Sequence, residues 1–237
     1  MKRRIAVLLL VPALGVLATV PGGTATAGES ARPFKAADLK IEINATDGDA
    51  GLQIFLDDEA WKHITIVHPN GDVLVDVQAS GVLTDYGLTE LFSESSEPPF
   101  SQFPLPEFKR LFPEGDYVFL GTLIDGTKLR SAVPLTHDLP IGPVIVSPRP
   151  DSVLSPDGVT VRWLATPQRP GVDVTGYQVL VVAEDGSQTL SADLPASARE
   201  LTVPPQYLRP GREYKVEVLA IETSGNQTLR EVSFATR

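Results

Sequence analysis

The residues able to do chemistry are few in type and scattered. The 237-residue chain has no cysteine, which removes thiolate nucleophiles and thiolate metal ligands together. Its three histidines are His63, His68 and His137. The first two are five apart on one expected strand, an odd offset that sends them to opposite faces and keeps them from sharing a metal. No Gly-x-Ser-x-Gly elbow is present to expose a nucleophilic serine. Carboxylates are the abundant reactive type. Asp47-Gly-Asp49 is the candidate for a hard cation, with Asn44 or a backbone carbonyl helping, because calcium takes six to eight oxygen ligands. Asp57-Asp-Glu59 follows one short strand later, about 17 Å along it, too far to share that ion. The reading favoured for Asp47 and Asp49 is a solvated acidic turn, with the ion site as its alternative. A pair of acids working on a sugar needs a cleft to hold it, and no one pair stands out. The absence of an assembled constellation makes a non-enzymatic protein without cofactor the expectation.

Aromatic side chains offer a second kind of chemistry, stacking on a glycan or filling a partner's pocket. Trp61, between Ala60 and Lys62 at the mouth of an expected hairpin, is one candidate. Phe100 and Phe103 are the others, in the stretch 93–107 with prolines at 98, 99, 104 and 106. Irregular loops longer than about 12 residues are uncommon in compact domains and are often functional or disordered. Those prolines limit the loop's freedom and so lower the entropy lost on docking. With Phe108 and Phe112 the rings could make an apolar patch for a partner. Packed inward, the same rings would cover the open end of their own module.

The elements that must position these residues are strands. Leu39, Ile41 and Ile43 alternate with Lys40, Glu42 and Asn44, the period of a strand with one buried face. Leu52-Gln-Ile-Phe-Leu56 follows. His63–Val67 and Val73–Val77 flank Asn70-Gly71, a tight-turn pair. A second hairpin runs from Tyr117–Leu123 to 128–136 around Asp125-Gly126. Glu107–Phe112 fits one or two helical turns, opened by Pro106 and stopped by Pro113. No helix of ten or more residues alternates with these strands, which argues against a parallel α/β sheet.

The charge is uneven. The chain carries a net −10; residues 37–140 hold 18 acids against 6 bases, and residues 141–237 hold 11 against 9. A strongly acidic module repels phosphate backbones and argues against nucleic acid as a partner. The first 27 residues have another character. Met1-Lys-Arg-Arg4 is basic, residues 5–20 are largely apolar, and Ala25-Thr-Ala27 is a small-x-small site, the three parts of a cleaved secretory signal. The apolar run is 16 residues, short of the roughly 20 that span a bilayer. Export, cleavage before Gly28 and no stable membrane insertion are expected.

Beyond residue 141 several features coincide. Trp163, Gly176-Tyr177, Leu208-Arg-Pro-Gly-Arg-Glu-Tyr214, the alternating Lys215–Ala220 run, Gly225-Asn226 and Phe234 together resemble a fibronectin type III domain. The resemblance implies a seven-stranded sandwich, with Trp163, Tyr177 and Tyr214 as core aromatics and Tyr214 as the corner tyrosine. No Arg-Gly-Asp tripeptide occurs, and the loop Thr223-Ser-Gly-Asn-Gln227 reads as short and ordinary. Phe112-Pro-Glu-Gly-Asp-Tyr117 echoes the second corner. The expected organisation is a signal at 1–27, a lead-in at 28–36, an acidic Ig-like β-sandwich at 37–140 and a type III-like sandwich at 141–237, an all-β pair in tandem. The function expected is that of an exported binding or spacer protein presenting a loop surface to a protein or glycan. A secreted hydrolase accessory or minimal carboxylate enzyme, and a calcium-stabilised adhesion module, remain open.

Overall fold

The computed structural model describes residues 31–237, so the expected signal lies outside the described residues. The chain is all-β. Its strands are β1 (Ala36–Asn44), β2 (Asp49–Val67), β3 (Val73–Gln78), β4 (Leu88–Glu94), β5 (Gly115–Leu123), β6 (Lys128–Leu135), β7 (Ile145–Ser147), β8 (Ser152–Leu154), β9 (Thr160–Trp163), β10 (Val174–Ala183), β11 (Thr189–Pro195), β12 (Glu200–Thr202), β13 (Glu213–Glu222) and β14 (Gln227–Thr236). Two short helices, α1 (Leu83–Tyr86) and α2 (Leu105–Leu111), interrupt the first half. None of the described helices is long and apolar enough to cross a membrane.

The N-terminal module is a sandwich built around one long strand. The two segments read from sequence as separate strands, 52–56 and 63–67, are halves of the 19-residue β2. Its first half pairs with β1 and β4, its second with β3 and β5, and the register shifts between Asp57 and His63. Irregularities of this kind bend a strand and re-aim its side chains, so one strand serves both layers. Between the layers lie Leu39, Ile41, Leu52, Ile54 and Leu56 from one side, with Ile64, Ile66, Tyr117 and Phe119 from the other. Asp57-Asp58-Glu59 is therefore strand backbone at the bend, not a loop. Asp58 is buried and takes a bidentate pair of bonds from Arg32 at 2.9 and 2.6 Å, plus the Lys35 amide at 3.1 Å. Burial alone would raise its carboxyl, but the Arg32 and backbone bonds outweigh that and hold it below the ordinary range. The lead-in is thereby tied down. Phe34 packs edge-on against Phe119 where Gly121 leaves space; a Cβ there would sit 2.7 Å from Phe34 Cζ.

The C-terminal module pairs a sheet β11-β10-β13-β14 with a smaller one, β12-β9-β7. Trp163, Tyr177, Tyr214 and Phe234 fill the space between them. The corner tyrosines both form, with opposite polarity. Tyr117 donates its hydroxyl to Pro113 O at 3.1 Å, whereas Tyr214 Oη accepts the Arg209 N–H at 2.8 Å. The seven strands expected of the sandwich are present as β7 and β9–β14, with β8 as an addition: three residues pairing parallel with the end of β14.

The modules are joined edge to edge. β1 lies parallel to β14 with Glu42, Ile43 and Asn44 opposite Gln227, Thr228 and Leu229. An open edge strand is a liability that proteins cover or blunt; here β1 covers β14, and one 11-stranded sheet runs through both modules.

Candidate functional site

The composite sheet has a face that belongs to neither core. Side chains alternate along a strand, so the residues between the core positions must point the other way. On β10 these are Gln178, Leu180 and Val182; on β13 Lys215, Glu217 and Leu219; on β14 Gln227, Leu229 and Glu231. Across the junction they continue as Asp38, Lys40 and Glu42 on β1, Gln53 and Phe55 on β2, and Phe92 and Glu94 on β4. Together they line a groove of about 820 Å³ that spans both modules. Leu180, Val182, Leu219 and Leu229 form an apolar cluster of their own in its floor, separate from the two sandwich cores. Among the described lining residues eight are carboxylates and two, Lys40 and Lys215, are cations.

Glu42, Glu94 and Glu97 converge at the N-terminal end, each offering an oxygen within 4.8 Å of the others. Glu42 is hydrogen-bonded by Gln227 Nε2 across the junction, and Glu94 accepts from Gln53 Nε2 at 2.8 Å. Burial, reinforced by the charge of Glu94, pushes the Glu42 carboxyl up from its ordinary 4.5 to about 7. Burial pushes Lys40 down, against the pull of Glu42 and Asp38. At the other end Lys215 bridges Glu217 at 2.6 Å and Glu231 at 3.2 Å. Three convergent carboxylates are oxygen ligands of the kind calcium takes, although six to eight are needed.

The groove is held in shape by the loop 223–227, which reads from sequence as short and ordinary. Asn226, 1 % exposed, lies in the turn between β13 and β14. Its Oδ1 accepts the Ile41 N–H at 2.8 Å. Its Nδ2 donates to Thr136 O and Oγ1, each at 3.0 Å, and to Asp138 O at 3.1 Å. One amide side chain thus satisfies the edge of β1 and the connection between modules, using donor and acceptor both. Thr46 Oγ1 accepts the Glu231 N–H at 3.0 Å, and the Ala45 amide donates to Leu229 O at 3.0 Å. Gly142, in the connection, is packed so that a Cβ would lie 3.1 Å from Thr228 Cγ2. The signal available in the sequence was a Gly-Asn-Gln turn with large polar residues at the start of a strand; nothing local marks it as buried.

The residues singled out from sequence are placed differently. Trp61 is fully buried at the bend of β2, so it is no exposed platform: the register shift turns it into the core. Phe100 and Phe103 are partly buried and packed on the N-terminal core, as is Phe112. The Phe100 amide also closes on Gly48 O at 2.7 Å. The stretch 93–107 is shorter as a loop than expected, because β4 runs to Glu94 and α2 begins at Leu105. Asp49 is buried while Asp47 is exposed; neither belongs to the carboxylate trio, although Asp47 reaches the groove rim. The histidines are separately engaged: His63 with Asp76, His68 with Asn70 and Leu111 O, His137 with Phe112 O.

Comparison with known proteins agrees with the C-terminal architecture. The fibronectin type III domain model matches residues 148–236, and those residues form a fibronectin type III domain. A two-domain type III segment of chicken tenascin is 15% identical over 83% of this chain and 95% of that one, with a TM-score of 0.30. Three type III domains of chicken CNTN1 are 12% identical over 87% of this chain and 69% of that one, TM-score 0.31. The Clostridium perfringens spore cortex lytic enzyme SleM is 20% identical over 41% of this chain, TM-score 0.30. This chain spans 28% of that enzyme's length. No curated protein matches the sequence.

Proposed function

We propose that this chain is an exported, non-enzymatic binding or spacer protein whose two sandwiches act as one rigid body toward a protein partner. The observation that carries the reading is the junction. Contacts between domains of one chain are commonly small and permit relative motion. Here a shared sheet and the buried Asn226 amide bind the modules through main-chain bonds, which suits a part that must hold a surface or a spacing. The type III domain supports a binding or spacer role in general terms. The basic, apolar and small-residue sequence of the N-terminus supports export. NMR relaxation of residues 28–237 tests the rigid body: one rotational correlation time is expected for both modules, and two independent times would overturn it.

One observation favours a second reading, a secreted carboxylate hydrolase. A carboxyl raised to about 7 beside two further glutamates in a groove has the makings of an acid and base pair. Release of reducing ends from cell-wall polysaccharides, lost in Glu42→Gln, would establish it; no release at any pH between 4 and 8 would dismiss it.

A further inference from the structure

We infer that the outward face of β2 and β4 in the N-terminal module is a docking site for an arginine side chain on a protein partner. The inference rests on the binding reading above and gives it a place and a chemistry. Three cross-strand pairs face away from the core: Asp57 opposite Glu90, Phe55 opposite Phe92, and Gln53 opposite Glu94. Phe55 and Phe92 are half-buried and belong to none of the hydrophobic clusters. They border the groove, whose aliphatic floor is at most 7 % exposed and closed to a partner. β4 pairs only with β2 among the described residues, so no strand covers the far edge of this face.

Charge selects the occupant. Like charges directly opposite one another destabilise a sheet, and Asp57 and Glu90 stand in that relation. The cations at this end of β2 are committed elsewhere, Arg32 to Asp58 and Lys35 to Glu59. Lys40, on the neighbouring β1, is drawn by Glu42 more than by Asp38. Neither Asp57 nor Glu90 has an ion pair or a side-chain hydrogen bond among the described residues. A cation from outside therefore removes a repulsion that the fold leaves in place. Same-face neighbours along a strand are about 7 Å apart, so a guanidinium held by the two carboxylates lies beside the Phe55 and Phe92 rings. Arginine fits better than lysine. Its planar fork meets carboxylates in pairs and stacks on an aromatic face, whereas lysine brings a point charge. A sugar stacked on the rings would leave the two negative charges unneutralised. The excess of 18 acids over 6 bases in residues 37–140 draws a basic partner from a distance.

The probe is a short fluorescein-labelled peptide of alternating serine and arginine, titrated into residues 28–237 and followed by polarisation. Counterparts carry lysine or uncharged citrulline in place of arginine. Saturable binding of the arginine peptide, weakened by salt, is expected. The lysine peptide should bind about threefold more weakly or worse, and the citrulline peptide little. Asp57→Asn with Glu90→Gln should weaken arginine binding on the order of tenfold. Thermal stability of that variant should be equal or higher, because the cross-strand repulsion is gone. Phe92→Leu keeps an apolar side chain and removes the ring face, so it should weaken arginine binding more than lysine binding. Glu107→Gln with Asp116→Asn removes the same charge outside this face and should leave binding close to that of the parent; thermal melts confirm that each variant is folded. Three results would overturn the inference: no saturable binding of the arginine peptide, equal affinity for the lysine peptide, or site variants that bind no more weakly than the control pair. Sedimentation showing a dimer that Asp57→Asn with Glu90→Gln dissociates would overturn it too, assigning the face to a second copy. The four residues lie in the N-terminal module alone, so the two readings fail separately. Two correlation times with arginine binding intact would remove only the rigid body, and one correlation time without binding would remove only the docking site.

Discussion

Two loops invite opposite readings from sequence and carry opposite roles in the structure. Residues 95–104 are long, proline-rich and aromatic; residues 223–227 are a short turn. The long loop lays Phe100 and Phe103 on its own module and ties its backbone to Gly48. The short one inserts Asn226 between modules and saturates the amide with four bonds. Proline and length report that a backbone is irregular. They say nothing about which polar groups it must satisfy, and a buried amide with every partner in place is what fixes one arrangement over another.

The contrast would be broken most directly at Asn226. Asn226→Ala leaves the Ile41 N–H and the Thr136 and Asp138 carbonyls without that partner, and should cost about 3–5 kcal/mol, since each buried group left unsatisfied costs about 1–3. Hydrogen exchange at the Ile41 amide should speed up with the loss of stability. A shift in denaturant midpoint within error of zero would mean that the junction is ornamental. Phe100→Ala with Phe103→Ala comes next. As half-buried cover the pair should cost about 2–4 kcal/mol, below the sum for two fully buried rings. A melt unchanged from the parent would return those rings to the binding surface expected from sequence.

A pH experiment sharpens the junction side. Glu42 is raised to about 7 by burial and by Glu94, so its folded-state carboxyl holds a proton that the unfolded chain releases near 4.5. Its contribution is complete below about 4.5 and is lost as pH rises through 7. Glu97 adds to the upward push, while Gln227 and Lys40 oppose it. Glu42→Gln should therefore raise stability at pH 8 by on the order of 2 kcal/mol and leave it little changed at pH 4. Parallel stability curves for the two proteins from pH 4 to 8 would show that Glu42 titrates normally. The smallest effect is expected at the corner. Tyr214→Phe leaves the Arg209 N–H unpaired, a donor and not the acceptor that a tyrosine donating its hydroxyl would leave, at about 1–2 kcal/mol. Tyr117→Phe strands the Pro113 carbonyl instead, which retains a second lone pair and tolerates loss better; the milder change is expected there in denaturant melts.

Alternation along Leu39–Asn44 and Lys215–Ala220, the Asn70-Gly71 turn, and the Trp163, Tyr177 and Tyr214 anchors were sufficient for the strands and for the type III domain, because period and turn chemistry are local properties. The 19-residue β2 was not legible, since a bend inside one strand and a gap between two look alike until their partners are known. Trp61 shows the same limit: its neighbours Ala60 and Lys62 suggest a hairpin mouth, and the register shift beside it decides that it is core. The groove was half visible. Each strand's polar or aliphatic outward face could be written down from period two, but only the parallel pairing of β1 with β14 sets Leu219 and Glu42 on one surface. Strand pairing between distant segments depends on which backbone edges are left open after each module has folded. The sequence by itself determined which faces are apolar and which are acidic; the tertiary structure decided that they meet.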